Sequence, residues 1–125
     1  MEIILSNIDS TPIYEQIARQ IKAKIVSGAL RTGEALPSMR SLAKELRISV
    51  ITTKRAYEEL EREGFIVSQT GRGSFVAPVG TELLREEQRR AVEAHLTDAV
   101  RAAHLGGLSQ QEFLDVARLL FEEEI

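Results

Sequence analysis

One run, Leu36 to Val76, restricts most severely what this chain can fold into. It opens with Leu36-Pro37-Ser38-Met39-Arg40-Ser41-Leu42-Ala43 and continues with Ile48-Ser49-Val50-Ile51-Thr52-Thr53-Lys54-Arg55-Ala56-Tyr57, then Leu60 to Gly64. It closes with Phe65-Ile66-Val67 and Thr70-Gly71-Arg72-Gly73-Ser74-Phe75-Val76. Ser38 is a good cap for a short helix whose apolar residues Met39, Leu42, Ala43 and Leu46 share one face. Ile48 fills a turn, and Ser49 caps a second helix that Gly64 ends. At about 100° per residue, Thr53, Ala56, Tyr57 and Leu60 line one side of that helix. Ile51, Arg55 and Glu58 lie roughly opposite, with Val50 and Lys54 on the flank. Residues 65–69 and 74–77 read as two strands around a glycine-rich tip, where positive φ is needed. Two helices, a tight turn and a hairpin in this order make a winged helix-turn-helix.

The flanks extend this unit. Residues 3–8 form an extended apolar arm with the composition of a short strand. Ser10-Thr11-Pro12 reads as a helix start with a hydroxyl cap and a proline in the first turn. Ile13, Ile17, Ile21 and Ile25, with Ala18, then form one stripe before Gly28. Beyond Pro78 and Gly80, Thr81 is expected to cap a long helix reaching about His104, with Leu84, Val92, Leu96, Ala99, Val100 and Ala103 apolar. Gly106-Gly107 breaks it. Ser109-Gln110-Gln111-Glu112 is a capping box ahead of a last helix carrying Phe113, Val116, Ala117, Leu120 and Phe121. The expected fold is mostly α with a small β wing: a winged helix-turn-helix domain over 1–78 and a helical hairpin over 79–125. One hairpin cannot bury both of its apolar faces alone, so a second copy of the chain is the expected partner through residues 81–125.

Composition narrows the function. The 125 residues include no Cys, which excludes disulfides and thiolate metal sites. No basic-then-apolar leader and no long apolar run is present, so a cytoplasmic location and no membrane partner are expected. The net charge of −3 is unevenly placed. Residues 1–80 carry 11 Lys/Arg against 9 Asp/Glu, a net of +2, whereas residues 81–125 carry 5 against 10, a net of −5. The acidity belongs to the tail and the helix-turn-helix is mildly basic, as a nucleic-acid reader requires. His95 and His104 are too far apart along one helix to share a metal, and no catalytic triad or nucleotide loop is present. No cofactor is expected.

The residues that bear on DNA are few. Arg40, off its helix's apolar stripe, suits bidentate contact with phosphate or guanine. Ser49 and Thr52 place hydroxyls and free amides at a helix start, where a phosphate fits. Ile51, and Val50 beside it, can meet thymine methyls. Lys54 reaches a phosphate or a base edge, and Arg72, between Gly71 and Gly73, can enter a narrow minor groove. Arg55 reads equally as a contact or a solvated neighbour, and Lys44 and Arg47 add only to a basic face.

The pattern resembles the GntR family of bacterial transcriptional regulators. The matching residues are Pro12-Ile13-Tyr14-Glu15-Gln16-Ile17, Gly28-Ala29-Leu30, Gly33, Leu36-Pro37-Ser38 with Arg40, and Ser41-Leu42-Ala43 with Leu46. Ser49, Thr52, Ala56-Tyr57, Leu60, Glu63-Gly64, Gly71, Gly73 and Phe75-Val76 continue them. The short two-helix tail is similar to the YtrA subgroup, whose members are dimers. The resemblance implies a repressor that binds a partly palindromic operator as a homodimer. It also implies that the helix between Ser49 and Gly64 enters the major groove and that the wing, through Gly71, meets the minor groove. Val50-Ile51 departs from the family, where Arg followed by a small polar residue is common, so no relative's base preference carries over. A small-molecule effector is left open. The alternative function is a protein-interaction adaptor that uses the winged helix without reading DNA. The basic stripe argues against it.

Overall fold

The computed structural model describes residues 1–123. Five helices and a two-stranded antiparallel sheet follow in the order α1 (Ile13–Ser27), α2 (Met39–Leu46), α3 (Val50–Arg62), β1 (Ile66–Gln69), β2 (Gly73–Val76), α4 (Thr81–Leu105) and α5 (Gln110–Glu123). The chain divides into two compact units, residues 1–84 and 85–125.

The first unit is built on the apolar stripes. Ile17, Ala18, Ile21 and Ile25 of α1 pack with Leu42 of α2, Ala56, Tyr57 and Leu60 of α3, and Phe65, Ile66 and Val76 of the hairpin. Val79 and Leu83 lie against the same core, so the first turn of α4 packs with this unit. The serine caps form as expected. Ser38 Oγ accepts from the Ser41 amide at 3.0 Å and Ser49 Oγ from the Thr52 amide at 3.3 Å.

Several local expectations are corrected. The start of α1 has no side-chain cap, and Pro12 occupies the cap position itself. The work falls to side chains on either side of it. The Asp9 carboxylate accepts the Thr11 amide at 2.9 Å, a bond that holds its pKa below the usual carboxylate value. The Gln16 amide donates to the carbonyls of Thr11 and Ser6, both at 2.9 Å. The N-terminal arm is not a strand. It is extended, but its alternate residues pair with two glutamines one helical turn apart on α1. Gln16 Oε1 accepts from Ser6 N at 2.9 Å, and Gln20 both accepts from Ile4 N and donates to Ile4 O, at 2.9 and 2.7 Å. Side-chain amides thus do what a neighbouring strand would do for the backbone. α4 begins at Thr81 itself, with the Gly80 carbonyl accepting from Leu84 N.

The hairpin pairs Ile66 with Val76 and Gln69 with Gly73, leaving a three-residue tip. A third segment joins it. Ala35 bridges Phe75, Leu36 N donates to Ser74 O at 2.9 Å, and Val76 N donates to Glu34 O at 2.9 Å. This clamps the loop ahead of α2 to the wing.

The second unit holds α5 and most of α4. Its capping box forms reciprocally, Ser109 N to Glu112 Oε1 at 3.0 Å and Glu112 N to Ser109 Oγ at 3.1 Å. These bonds lower the Glu112 pKa. In α4 only Ala103 is buried, and in α5 no residue is. Val92, Leu96, Val100, Val116, Leu120 and Phe121 are all exposed.

Replacing Gln16, itself buried, by Leu removes three hydrogen bonds and strands two carbonyls and an amide. The expected cost is about 2 kcal/mol, read as a lower denaturant midpoint together with loss of hydrogen-exchange protection at Ser6. An unchanged midpoint and unchanged protection would show that the arm is held some other way.

Candidate nucleic-acid interface

The surface in question is assembled by three elements. α3 supplies its centre. Because Thr53, Ala56, Tyr57 and Leu60 are buried, the helix has one rotational setting. Ile51 is therefore 80% exposed and Val50 44% exposed, although both are branched aliphatics. Thr52 is half-buried beside the helix start, and Lys54 and Arg55 are exposed. The Ser49 cap satisfies the Thr52 amide, leaving the other first-turn amides at this positive helix end.

α2 supplies the basic margin. Arg40 and Lys44 are exposed, and so is Arg47 just past the helix end. Arg47 has φ 57 and ψ 46, the left-handed cap of α2, and its amide reaches back to Ala43 and Lys44. Glycine usually fills such a position because a Cβ is disfavoured there, which is why spacing alone did not reveal it. The wing supplies Gly71 and Arg72, both exposed at the hairpin tip. Arg72 N donates to Gln69 O at 2.9 Å, and Gly71 has φ 77, as the third position of a type II turn requires.

Charge on this surface is mostly uncompensated. Among the described residues, Arg40, Lys44, Arg47, Arg55 and Arg72 enter no ion pair. Lys54 lies 3.9 Å from Glu58 one turn along, with both side chains more than half exposed. Such a contact is worth a few tenths of a kcal/mol at most, roughly, and yields readily to a phosphate. Arg55 is different. Its guanidinium lies 3.9 Å over the Tyr14 ring, and Nη2 donates to the Tyr14 hydroxyl at 3.3 Å. Sequence spacing had no means of bringing these two residues together, since 41 positions separate them.

The surface is held to the core through Tyr57. Its hydroxyl donates to the Pro37 carbonyl at 2.8 Å, fixing the residue just before the Ser38 cap of α2. Burial pushes its phenol pKa up to about 12.

In the second unit, a cleft of about 440 Å³ lies between the end of α4 and the start of α5, lined chiefly by Val100, Ala103, His104, Leu108, Phe113 and Leu114. Among the described residues, no three His, Cys, Asp or Glu side chains gather as metal ligands. Among the described residues, no helix is long and apolar enough to cross a membrane.

The family model for bacterial regulatory proteins of the gntR family matches residues 13–76, the segment that builds this surface. The chain belongs to the gntR family. Membership places it among DNA-binding transcriptional regulators and not among enzymes. It is 36% identical over 103 residues to the HTH-type transcriptional repressor YtrA of Bacillus subtilis, covering 82% of this chain and 79% of that protein. The solved structure of YtrA from Sulfolobus acidocaldarius, a GntR-family transcription factor, is similar at a TM-score of 0.61 and 38% identity, covering 76% of this chain and 97% of that one. The DNA-binding domain of AraR in complex with operator ORX1 is similar at a TM-score of 0.55 and 26% identity, over 62% of this chain and 96% of that one.

Tyr57→Phe should cost about 1 kcal/mol near neutral pH, because the Pro37 carbonyl loses its donor. The pH dependence has a definite sign. The folded state keeps the phenol proton more tightly than the unfolded state, so this group's contribution is intact below pH 10 and lost as pH rises toward 12. Denaturant midpoints at pH 8 and pH 11 should therefore fall less in Tyr57→Phe than in the wild type. An equal fall in both would exclude Tyr57 as the source.

Proposed function

We propose that this chain is a homodimeric transcriptional repressor that binds a partly palindromic operator, with α3 in the major groove and the wing at the minor groove. The observation that carries the reading is the exposed face of α3. Two aliphatic side chains stand in solvent at the start of a helix, ringed by basic residues of which, among the described residues, only Lys54 has an acidic partner. An apolar patch in water is unfavourable, and burial against protein would not call for a cationic rim. A DNA groove accounts for both, since methyl groups and phosphates occur side by side there. On this reading Arg40, Ser49, Thr52 and Lys54 anchor the backbone, Val50 and Ile51 read base edges, and Gly71 with Arg72 brings the wing to the neighbouring groove.

The repressor assignment is supported by the curated relative, which is named as one. The dimer is supported by the second unit. Val92, Leu96 and Val100 repeat every fourth residue on α4 and all are exposed, as are Val116 and Leu120 on α5. Covering them with a second copy removes apolar area at about 25 cal/mol per Å². A two-fold dimer also matches two half-sites about one helical turn apart.

Selection of duplexes from random DNA by the whole 125-residue chain tests the reading. Bound sites should be inverted repeats with T at the positions facing Val50 and Ile51, and log affinity should fall steeply with log salt. G or C alone at those positions would contradict the assigned base contacts. No enrichment even at low salt would favour the adaptor. In a second test, Leu96→Lys should convert the sedimenting species to a monomer and weaken binding of the selected duplex at least about tenfold, because half-sites are then bound singly. A dimer of unchanged affinity would remove this face from the interface.

A further inference from the structure

We propose that Tyr14 and Arg55 form a preset phosphate clamp at the edge of the DNA-reading surface, with Arg55 contacting the backbone and Tyr14 acting as its positioning residue. The inference rests on the operator reading above and adds a contact that the spacing of residues along α3 left undecided.

Four observations converge. Arg55 is on the same face of α3 as Ile51, one turn farther along, so it is directed to the side left open by the core stripe. It is exposed and, among the described residues, is in no ion pair, so its charge is uncompensated. Lys54 and Arg62, its neighbours on α3, each pair with a glutamate, so among these three cations only the one on Tyr14 keeps its charge unmatched. Finally, its guanidinium is already ordered. The Tyr14 ring lies 3.9 Å below it and the Tyr14 hydroxyl takes one Nη2 proton at 3.3 Å.

The chemistry of this pair favours a phosphate. A free arginine loses considerable side-chain entropy when it is fixed. Stacking on an aromatic ring fixes the plane beforehand, at an interaction strength on the order of 0.5–1 kcal/mol for an exposed pair. One N–H is spent on the neutral phenol, and the remaining donors form the planar fork that matches two phosphate oxygens. A carboxylate in place of the phenol would have neutralised the cation. Tyrosine holds it and leaves the charge available. Because Tyr14 is on α1, the clamp also ties the first helix to the position of α3 on DNA.

The test uses the whole 125-residue chain and a duplex that the wild type selects from random DNA, titrated at several salt concentrations beside a scrambled duplex. Arg55→Gln should lose about tenfold in affinity, with the salt slope reduced by roughly 0.9 for one lost phosphate contact. Arg55→Lys should keep the slope but lose part of the affinity, since an ammonium lacks the fork. Tyr14→Leu should weaken binding several-fold in the wild-type background and have no further effect in the Arg55→Gln background. Tyr14→Phe, which retains the ring, should recover most of that loss. A purely structural role predicts instead that Tyr14→Leu costs the same in both backgrounds, which would overturn the clamp. So would an Arg55→Gln salt slope equal to that of the wild type. A loss confined to duplexes with G at one position would replace the phosphate by a base edge. Absence of selective wild-type binding would defeat the operator reading itself, a result distinct from each of these.

Discussion

The rotational setting of α3 is the constraint on which the functional surface depends. Thr53, Ala56, Tyr57 and Leu60 are all essentially inaccessible, and turning the helix by one residue would drag Lys54 or Arg55 into the core. Burying an unpaired charge costs several kcal/mol, on the order of the whole stability of a small domain. The apolar stripe therefore fixes the outward face as firmly as it fixes the inward one. Tyr57 extends this control to α2, because the same ring that fills the core also holds Pro37 and so the start of the Arg40 helix. The wing is set by a different device, the bridge from Ala35 to Phe75, which joins the α2 approach to β2.

The parts legible in the sequence were those decided locally. The caps at Ser38, Ser49 and Ser109 formed as their side chains implied, since each bond spans only three residues. The four core residues of α3 followed from helical period alone. The outward face then followed as the complement of that stripe, which is why the exposure of Ile51 and Lys54 could be anticipated.

The parts missed depend on partners distant in sequence or on a conformation that composition disguises. The arm looked like a strand because Ile3-Ile4-Leu5 is apolar and branched, yet its backbone partners are Gln16 and Gln20, polar residues that a helical wheel assigns to no role. The Ala35 segment is too short to register as a strand, and it pairs across 40 residues. Arg47 takes a left-handed turn where a glycine would have been the signal. Arg55 reads equally as a contact or a solvated neighbour, because nothing in α3 indicates that Tyr14 lies beneath it. In the second unit the stripes on α4 and α5 were visible, but the finding that nearly every apolar residue remains exposed needed the structure.

The assignment of the α2–α3–wing surface to DNA is tested most directly by backbone amide NMR of the 13.9 kDa chain with and without a selected duplex. The expected result is a contiguous set of shifted amides around Arg40, Ser49–Arg55 and Gly71–Arg72, with the exposed stripes of α4 and α5 unmoved relative to the DNA-free protein. Shifts confined to α4 and α5, with the outward face of α3 unchanged, would contradict it.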